Sequence, residues 1–289
     1  MIKKYGKYLY MTAKWALIAS FMMPTLATAF EPLNTDDAGT VKSGGNQIEQ
    51  YFISINRSGG DNQTVDIITP GEEYAGNADA RALPFTYTRG LSDTVEASFS
   101  STYYLQPSGN FTRFSNYVIA TKWRFHEDLS NHYALAIKPM IVMPASKQQQ
   151  VNGLGLAALN YGINLIASKY WESLEVHINA SYMRSPYNTN YSIGHAADNS
   201  RTDIFLVSIA PVWIINRNIK LALDIGATTN PPSSEQYLNH YALLAAIYSF
   251  TEDIDVGLSY MRAAVSSGNF FSSQDAYSTR AEIGVTWRY

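Results

Sequence analysis

Asp36 and Asp37 stand side by side in the run Thr35-Asp36-Asp37-Ala38-Gly39-Thr40. Neighbouring carboxylates beside a glycine and two hydroxyls are the raw material of acid–base catalysis or of a hard-cation site. The spacing supports neither. A calcium loop spreads its oxygens over alternate positions and ends in a glutamate; Asn34, Asp36 and Asp37 do not. An aspartic protease needs Asp-Thr/Ser-Gly, and here the order is Asp-Ala-Gly-Thr. A Ser-His-Asn hydrolase built on His177 and Asn179 lacks the serine expected just after the histidine, where Ile178 stands. Ser181 comes four residues on, and no Gly-x-Ser-x-Gly elbow occurs. The five histidines, His126, His132, His177, His195 and His240, contain no close-spaced ligand pair. His195 with Asp198 and Asp203 would hold a cation only weakly. No catalytic residue, metal or cofactor is predicted, so the question becomes what kind of chain carries Asp36 and Asp37.

The first 29 residues answer part of it. Lys3, Lys4, Lys7 and Lys14 precede the apolar run Trp15 to Met23, then Pro24 and Ala27-Thr28-Ala29. That order predicts a secretory signal peptide cleaved after Ala29. Removing four lysines and no acids moves the formal charge from −3 to −7. The predicted mature chain is mildly acidic, with no basic tract for nucleic acid. With no cysteine, neither disulfides nor a lipid-modified cysteine is available. Charged residues make up only 16%, against roughly 25% in ordinary soluble domains, and there are 21 tyrosines.

After residue 29 no apolar run is long enough for a transmembrane helix. Strict alternation recurs instead. Val95, Ala97, Phe99, Ser101, Tyr103 and Leu105 interleave with Glu96, Ser98, Ser100, Thr102 and Tyr104. The last segment alternates Tyr277, Thr279, Ala281, Ile283, Val285, Trp287 and Tyr289 with Ser278, Arg280, Glu282, Gly284, Thr286 and Arg288. A period of two over ten or more residues is a long strand with one greasy and one polar face. Such segments predict about twelve strands: 45–57, 80–90, 94–105, 113–125, 132–145, 154–167, 173–184, 201–215, 219–228, 237–250, 254–265 and 277–289. Short turns at Ser92-Asp93, 126–130, 168–172, 216–218 and 251–253 alternate with longer loops at 58–79, 106–112, 146–153, 185–200, 229–236 and 266–276. Short turns on one side and long loops on the other describe a transmembrane antiparallel β-barrel of the outer-membrane type.

The aromatic positions separate this from a soluble sandwich. On the apolar faces, Tyr103, Tyr117, Tyr182, Tyr241, Tyr260 and Tyr277 fall near the outer ends. Trp123, Phe125, Tyr133, Trp213, Trp287 and Tyr289 fall near the periplasmic ends. Aliphatics such as Ile119, Ile137, Ile178, Leu221 and Leu258 lie between. Two aromatic belts around an aliphatic band fit two membrane interfaces. The opposite face then lines a lumen with Glu96, Lys122, Arg124, Lys138, Glu175 and His177 on one stretch of strands. It continues with Asp224, His240, Asp255, Arg280, Glu282 and Arg288 on the other. Side chains fill an eight-stranded interior, whereas sixteen strands leave open water; twelve lie between. These lumen residues either brace the barrel or line a narrow polar path, and the two are compatible. His177 and Asn179 share this inward register, whereas attack on lipid needs outward groups. Arg184 and Arg262 interrupt the greasy face at the outer rim, where they are predicted to contact lipopolysaccharide phosphate. Loop 58–79 is polar and acidic, either a lid over the mouth or a solvated loop. The aromatic terminal residue Tyr289, ending an alternating strand, resembles the signal by which the barrel-assembly machinery reads outer-membrane barrels; the alternative is simply the last strand of a sheet.

Pro32, the run Thr35 to Thr40, and Gly45-Asn46-Gln47-Ile48-Glu49 resemble the start of an outer-membrane protein family. It is the transporter-like family named for a meta-pathway of phenol degradation. Gly90-Leu91-Ser92-Asp93-Thr94-Val95-Glu96 resembles its first periplasmic turn and following strand. Asn46 departs from the aromatic common at that position. The resemblance implies a Gram-negative outer-membrane channel for small solutes, hydrophobic or aromatic in class. An adhesion or structural barrel acting through its loops is the alternative, and a lipid-acting enzyme comes third. The predicted layout is a signal peptide at 1–29, a periplasmic segment at 30–44 and a barrel at 45–289. In that layout Asp36 and Asp37 act as a plug or latch, tucked into the lower lumen and paired with Lys122, Arg124 or Arg288.

Overall fold

The computed structural model describes residues 32–58, 79–186, 201–231, 237–264 and 277–289. The predicted signal peptide and almost all of the predicted lid loop lie outside these. Among the described residues, twelve strands form one closed antiparallel barrel, each paired with its neighbours in sequence. They are β1 (Asn46–Ser58), β2 (Ala80–Ser92), β3 (Val95–Gln106), β4 (Val118–Asp128), β5 (Tyr133–Val142) and β6 (Asn160–Tyr170). Then follow β7 (Leu174–Arg184), β8 (Asp203–Ile214), β9 (Ile219–Thr229), β10 (Leu238–Ser249), β11 (Ile254–Ala264) and β12 (Tyr277–Arg288). The ring closes where β1 pairs β12, from Gln47↔Arg288 to Ser58↔Tyr277. Beyond the last pair, Asn46 N donates to Tyr289 O at 2.8 Å and Tyr289 N to Asn46 O at 3.0 Å. Closure leaves no strand edge unpaired, as an apolar surround requires.

The alternation puts charge inside and grease outside. Lys122 is 2% exposed while its neighbour Trp123 is 52% exposed. Ile119, Phe125, Ile178, Trp213, Leu221, Leu258, Tyr260, Trp287 and Tyr289 are likewise exposed on the outward face. Such a continuous apolar exterior would be an aggregation surface in water and fits a bilayer. The short turns share one end with Asn46 and Tyr289: Arg288 N reaches Asp253 O at 2.8 Å across that rim. We call it the periplasmic end and the opposite one the outer end.

The structure departs from the predicted pattern at three places. β10 is apolar on both faces, so alternation could not say which face turns in. Tyr241, expected in the outer belt, is buried inside, and His240, expected in the lumen, shares the outward register with Leu244. The choice follows from Tyr241, whose hydroxyl donates to Asp224 at 2.8 Å. Its ring also lies over Gly226, where a Cβ would come within 2.5 Å of it. Second, β4 and β6 start at Val118 and Asn160 rather than 113 and 154, and β5 ends at Val142 rather than 145. Residues 143–159 fold inward instead, through the helix α1 (Lys147–Val151). Ser146 caps α1 in a reciprocal capping box with Gln149, which satisfies donors that a strand would have given to its neighbour. Third, β3 pairs β4 only from Val95↔Trp123 to Ser100↔Val118. Its outer half bonds the loop that follows it, Tyr104 N to Arg113 O at 2.8 Å and Ser115 N to Thr102 O at 2.7 Å.

Candidate functional site

Residues 32–41 lie inside the barrel. The chain turns in at Gly44, whose φ of +79° is costly for any side-chain-bearing residue. It then passes so close over β2 that a Cβ on Gly90 would sit 2.0 Å from Lys42 O. Thr40 Oγ1 donates to Asp93 O at 2.8 Å, and Val41 N to the Glu96 carboxylate at 2.6 Å. The two stretches that carry the family resemblance therefore touch each other.

Without a strand partner, the segment has its backbone groups satisfied by wall side chains. Ala38 N donates to Ser168 Oγ at 2.8 Å, which lies 2.8 Å from His177 Nδ1. Asn179 grips Asp36 from both sides, accepting from its N at 2.9 Å and donating to its O at 2.8 Å. Asn179 is itself set by Asn164 at 2.8 Å. Lys122 Nζ contacts Glu96 at 3.1 Å and donates to Asp37 O at 3.3 Å. Farther in, Asp224 accepts from Asn34 N at 2.7 Å, Thr35 N at 2.8 Å and Thr35 Oγ1 at 2.8 Å, besides Tyr241. Ser208 Oγ lies 2.8 Å from the same threonine hydroxyl. Arg280 donates to Asn34 Oδ1 at 2.8 Å, and Asn34 Nδ2 reaches Met261 Sδ at 3.2 Å. Side chains from β3 through β9, with β11 and β12, thus bond a ten-residue stretch, and Leu33 packs among Val212, Ala222, Tyr241 and Leu243.

The predicted partners of the two aspartates need correction. Asp36 pairs with Lys138 at 2.7 Å, and Lys122 reaches only the main-chain carbonyl of Asp37. The Asp37 carboxylate turns back to accept from Gly39 N. Arg124 is occupied at the rim, with Asp93 O at 2.8 Å and Glu127 at 3.4 Å. Arg288 pairs with Asp255 at 2.8 Å. The reason is depth: the segment climbs past the rim, so its carboxylates meet mid-barrel residues.

The other lumen charges pair along one strand or across to the next strand but one. Glu175 meets Lys220 at 3.0 Å and His177 at 3.7 Å, and Glu282 meets Arg280 at 3.5 Å and Ser259 at 3.2 Å. Outside, Arg184 is neutralised by Asp203 at 2.7 Å, which also accepts from Tyr182. Arg262 lies 3.9 Å over the Tyr277 ring, a cation–π arrangement. Asn34, Thr35, Ser168, Ser208 and Tyr241 were missed by sequence reasoning. For the wall residues Ser168 and Ser208 the visible signal is a polar residue in the inward register, as Asn164, Asn179 and Asp224 also are on β6, β7 and β9.

No family model matches the chain, and no curated relative matches it. Its backbone is similar to that of an outer-membrane channel from Pseudomonas putida F1, with a TM-score of 0.61 and 11% identity over 88% of this chain and 98% of that one. It is also similar to the NanC porin, with a TM-score of 0.52 and 14% identity over 82% and 98%. The KdgM porin in complex with disordered oligogalacturonate gives 0.50 and 6% over 84% and 98%. These likenesses establish the closed β-barrel of outer-membrane channels and porins as the fold of this chain.

Proposed function

We propose that the chain is a Gram-negative outer-membrane channel for passive entry of small solutes, hydrophobic or aromatic in class, with residues 32–41 as its plug. One observation carries this: the lumen of a twelve-stranded barrel, a strand number between the side-chain-filled and the open-channel sizes, is occupied by a segment bonded to the wall through side chains. A barrel meant only for bracing needs no separable filling. The resemblance to the phenol meta-pathway family supports the solute class, as do the apolar lumen patches around Leu243 and Tyr104. Asp36 and Asp37 are the plug residues, and Lys138, Lys122, Glu96, Asn179 and Asp224 are its seat. At the outer rim Arg262 is the stronger candidate for lipopolysaccharide, since Asp203 already satisfies Arg184. Tyr289, exposed at the periplasmic rim, remains the proposed mark for the barrel-assembly machinery.

The test is uptake of labelled monoaromatic and sugar solutes by a porin-depleted Gram-negative host expressing the chain. Entry of the monoaromatic above the vector-only level supports the channel. Vector-level entry of both solutes overturns it in favour of a structural or adhesion barrel.

A further inference from the structure

The stretch 143–159 between β5 and β6 folds inward at the other end of the barrel. Its hydrogen bonds make it a built element. Asn116 donates to Met143 O at 2.6 Å and Leu156 O at 2.9 Å, and accepts from Leu156 N at 2.8 Å. The buried Gln150 accepts from Ala157 N at 2.8 Å, and Gln149 donates to Phe114 O. A Cβ on Gly155 would lie 2.2 Å from Asn116 Oδ1, so the packing there admits no larger residue. Past α1 the chain turns at Gly153, with φ +77°, and delivers Leu154. That side chain is 0% exposed, seated among Ile53 and Ile55 of β1, Ala80 and Ala82 of β2 and Tyr104 of β3, with Phe111 against them.

These wall residues point inward near the outer ends of strands that are not neighbours of β5 or β6. Leu154 therefore reaches past β4 to a part of the wall that neither of its flanking strands adjoins. The plug's seat lies deeper, and its apolar cluster is built from β8 to β11; the two clusters share no residue. The alanines at 80 and 82 leave the socket room for one branched aliphatic group. We propose that residues 143–159 are an outer lid latched by Leu154, in series with the plug. An apolar solute arriving from outside opens the lid by taking the leucine's place. This second half rests on the solute class proposed above, whereas the series arrangement does not.

Ion conductance in planar bilayers tests both halves, with each variant first shown to be folded by heat-modifiable gel migration. Four forms are compared: wild type, a form lacking 32–41, Leu154→Asp, and the combination. A carboxylate cannot stay in an apolar socket, so the latch opens. Closures in series predict single variants within about threefold of wild type and at least a tenfold rise in the combination. The series arrangement is overturned if removing 32–41 alone conducts as well as the combination, or if the combination stays at the wild-type level. Should the deletion fail to fold, Asp224→Ala replaces it, and Leu154→Ala serves as the milder latch variant. Toluene added to the plug-free form with its lid intact should raise conductance toward that of the combination, while glucose should not. No response to toluene overturns the solute key. Failure of host uptake overturns the channel reading separately, because ion conductance does not depend on it.

Discussion

Asp224→Ala strikes the plug at its innermost anchor. The carboxylate is 0% exposed and takes three hydrogen bonds from the segment, two from main-chain N–H groups and one from Thr35 Oγ1, all at 2.7 to 2.8 Å. Hydrogen bonds to a charged group contribute roughly 1.5–3 kcal/mol each. Water will enter the vacated site, so the lower figure applies, and three bonds give about 4.5 kcal/mol. At 1.4 kcal/mol per tenfold, the constant for plug opening rises about a thousandfold. The three share one acceptor, which makes this an upper value.

Native-state hydrogen exchange reads that constant directly. Asn34 and Thr35 lose their acceptor in the variant, so their faster exchange proves nothing. The informative amides are Ala38 and Val41, whose acceptors Ser168 and Glu96 are untouched. If the segment leaves as a unit, both exchange one hundred- to one thousandfold faster, on the order of the shift worked above. If only its tip frays, both stay within about threefold of wild type, and the plug is not a single releasable body. Asp224→Asn, which keeps one acceptor oxygen, should fall between the two. Tyr241→Phe removes only the hydroxyl that props the carboxylate and should accelerate the same amides by roughly fivefold, about 1 kcal/mol.

Gly90→Ala forces a methyl against Lys42 O at 2.0 Å and Val41 O at 2.5 Å, both backbone atoms that cannot swing aside; the barrel's melting temperature should fall and Val41 exchange should rise. Lys138→Met strands the Asp36 carboxylate, destabilising the seated plug by about 1–2 kcal/mol. Adding Asp36→Leu should recover part of that, and a double-mutant cycle with no coupling would count against the pair. Arg262→Ala should reduce the thermal stabilisation that lipopolysaccharide confers, and Arg184→Ala should reduce it less, because Asp203 already holds that guanidinium. Equal melting temperatures of the double variant and wild type, with and without lipopolysaccharide, would remove both residues from lipid recognition.

What alternation could reveal and what it could not follow from one geometric fact. A strand's period of two sorts side chains between two faces, so Lys122 and Trp123 fall on opposite sides of the wall from sequence alone. The same rule is blind where both faces are apolar, as across Tyr241 to Ile247, and there only a distant partner, Asp224, decides. It is blind again in 143–159, where β-like letters turn inward because Asn116, forty residues from Leu156, supplies the hydrogen bonds. The plug marks the far limit of local reading. A segment with no ladder must find side-chain partners for its N–H and C=O groups, and those partners come from strands spread around the ring. That need explains why Asn179, Ser168, Glu96 and Asp224 interrupt the wall where they do. It also explains the polar crowding at Thr35 to Thr40 that first suggests catalysis. Thr35 and Asp36 bind the wall by side chain and main chain together, Thr40 binds it by its hydroxyl, and Asp37 turns its carboxylate onto the segment itself. A run of hydroxyls and carboxylates next to a glycine therefore points as well to a chain folded inside another surface as to a reaction centre. The difference lies in whether the polar atoms face a solute or a wall.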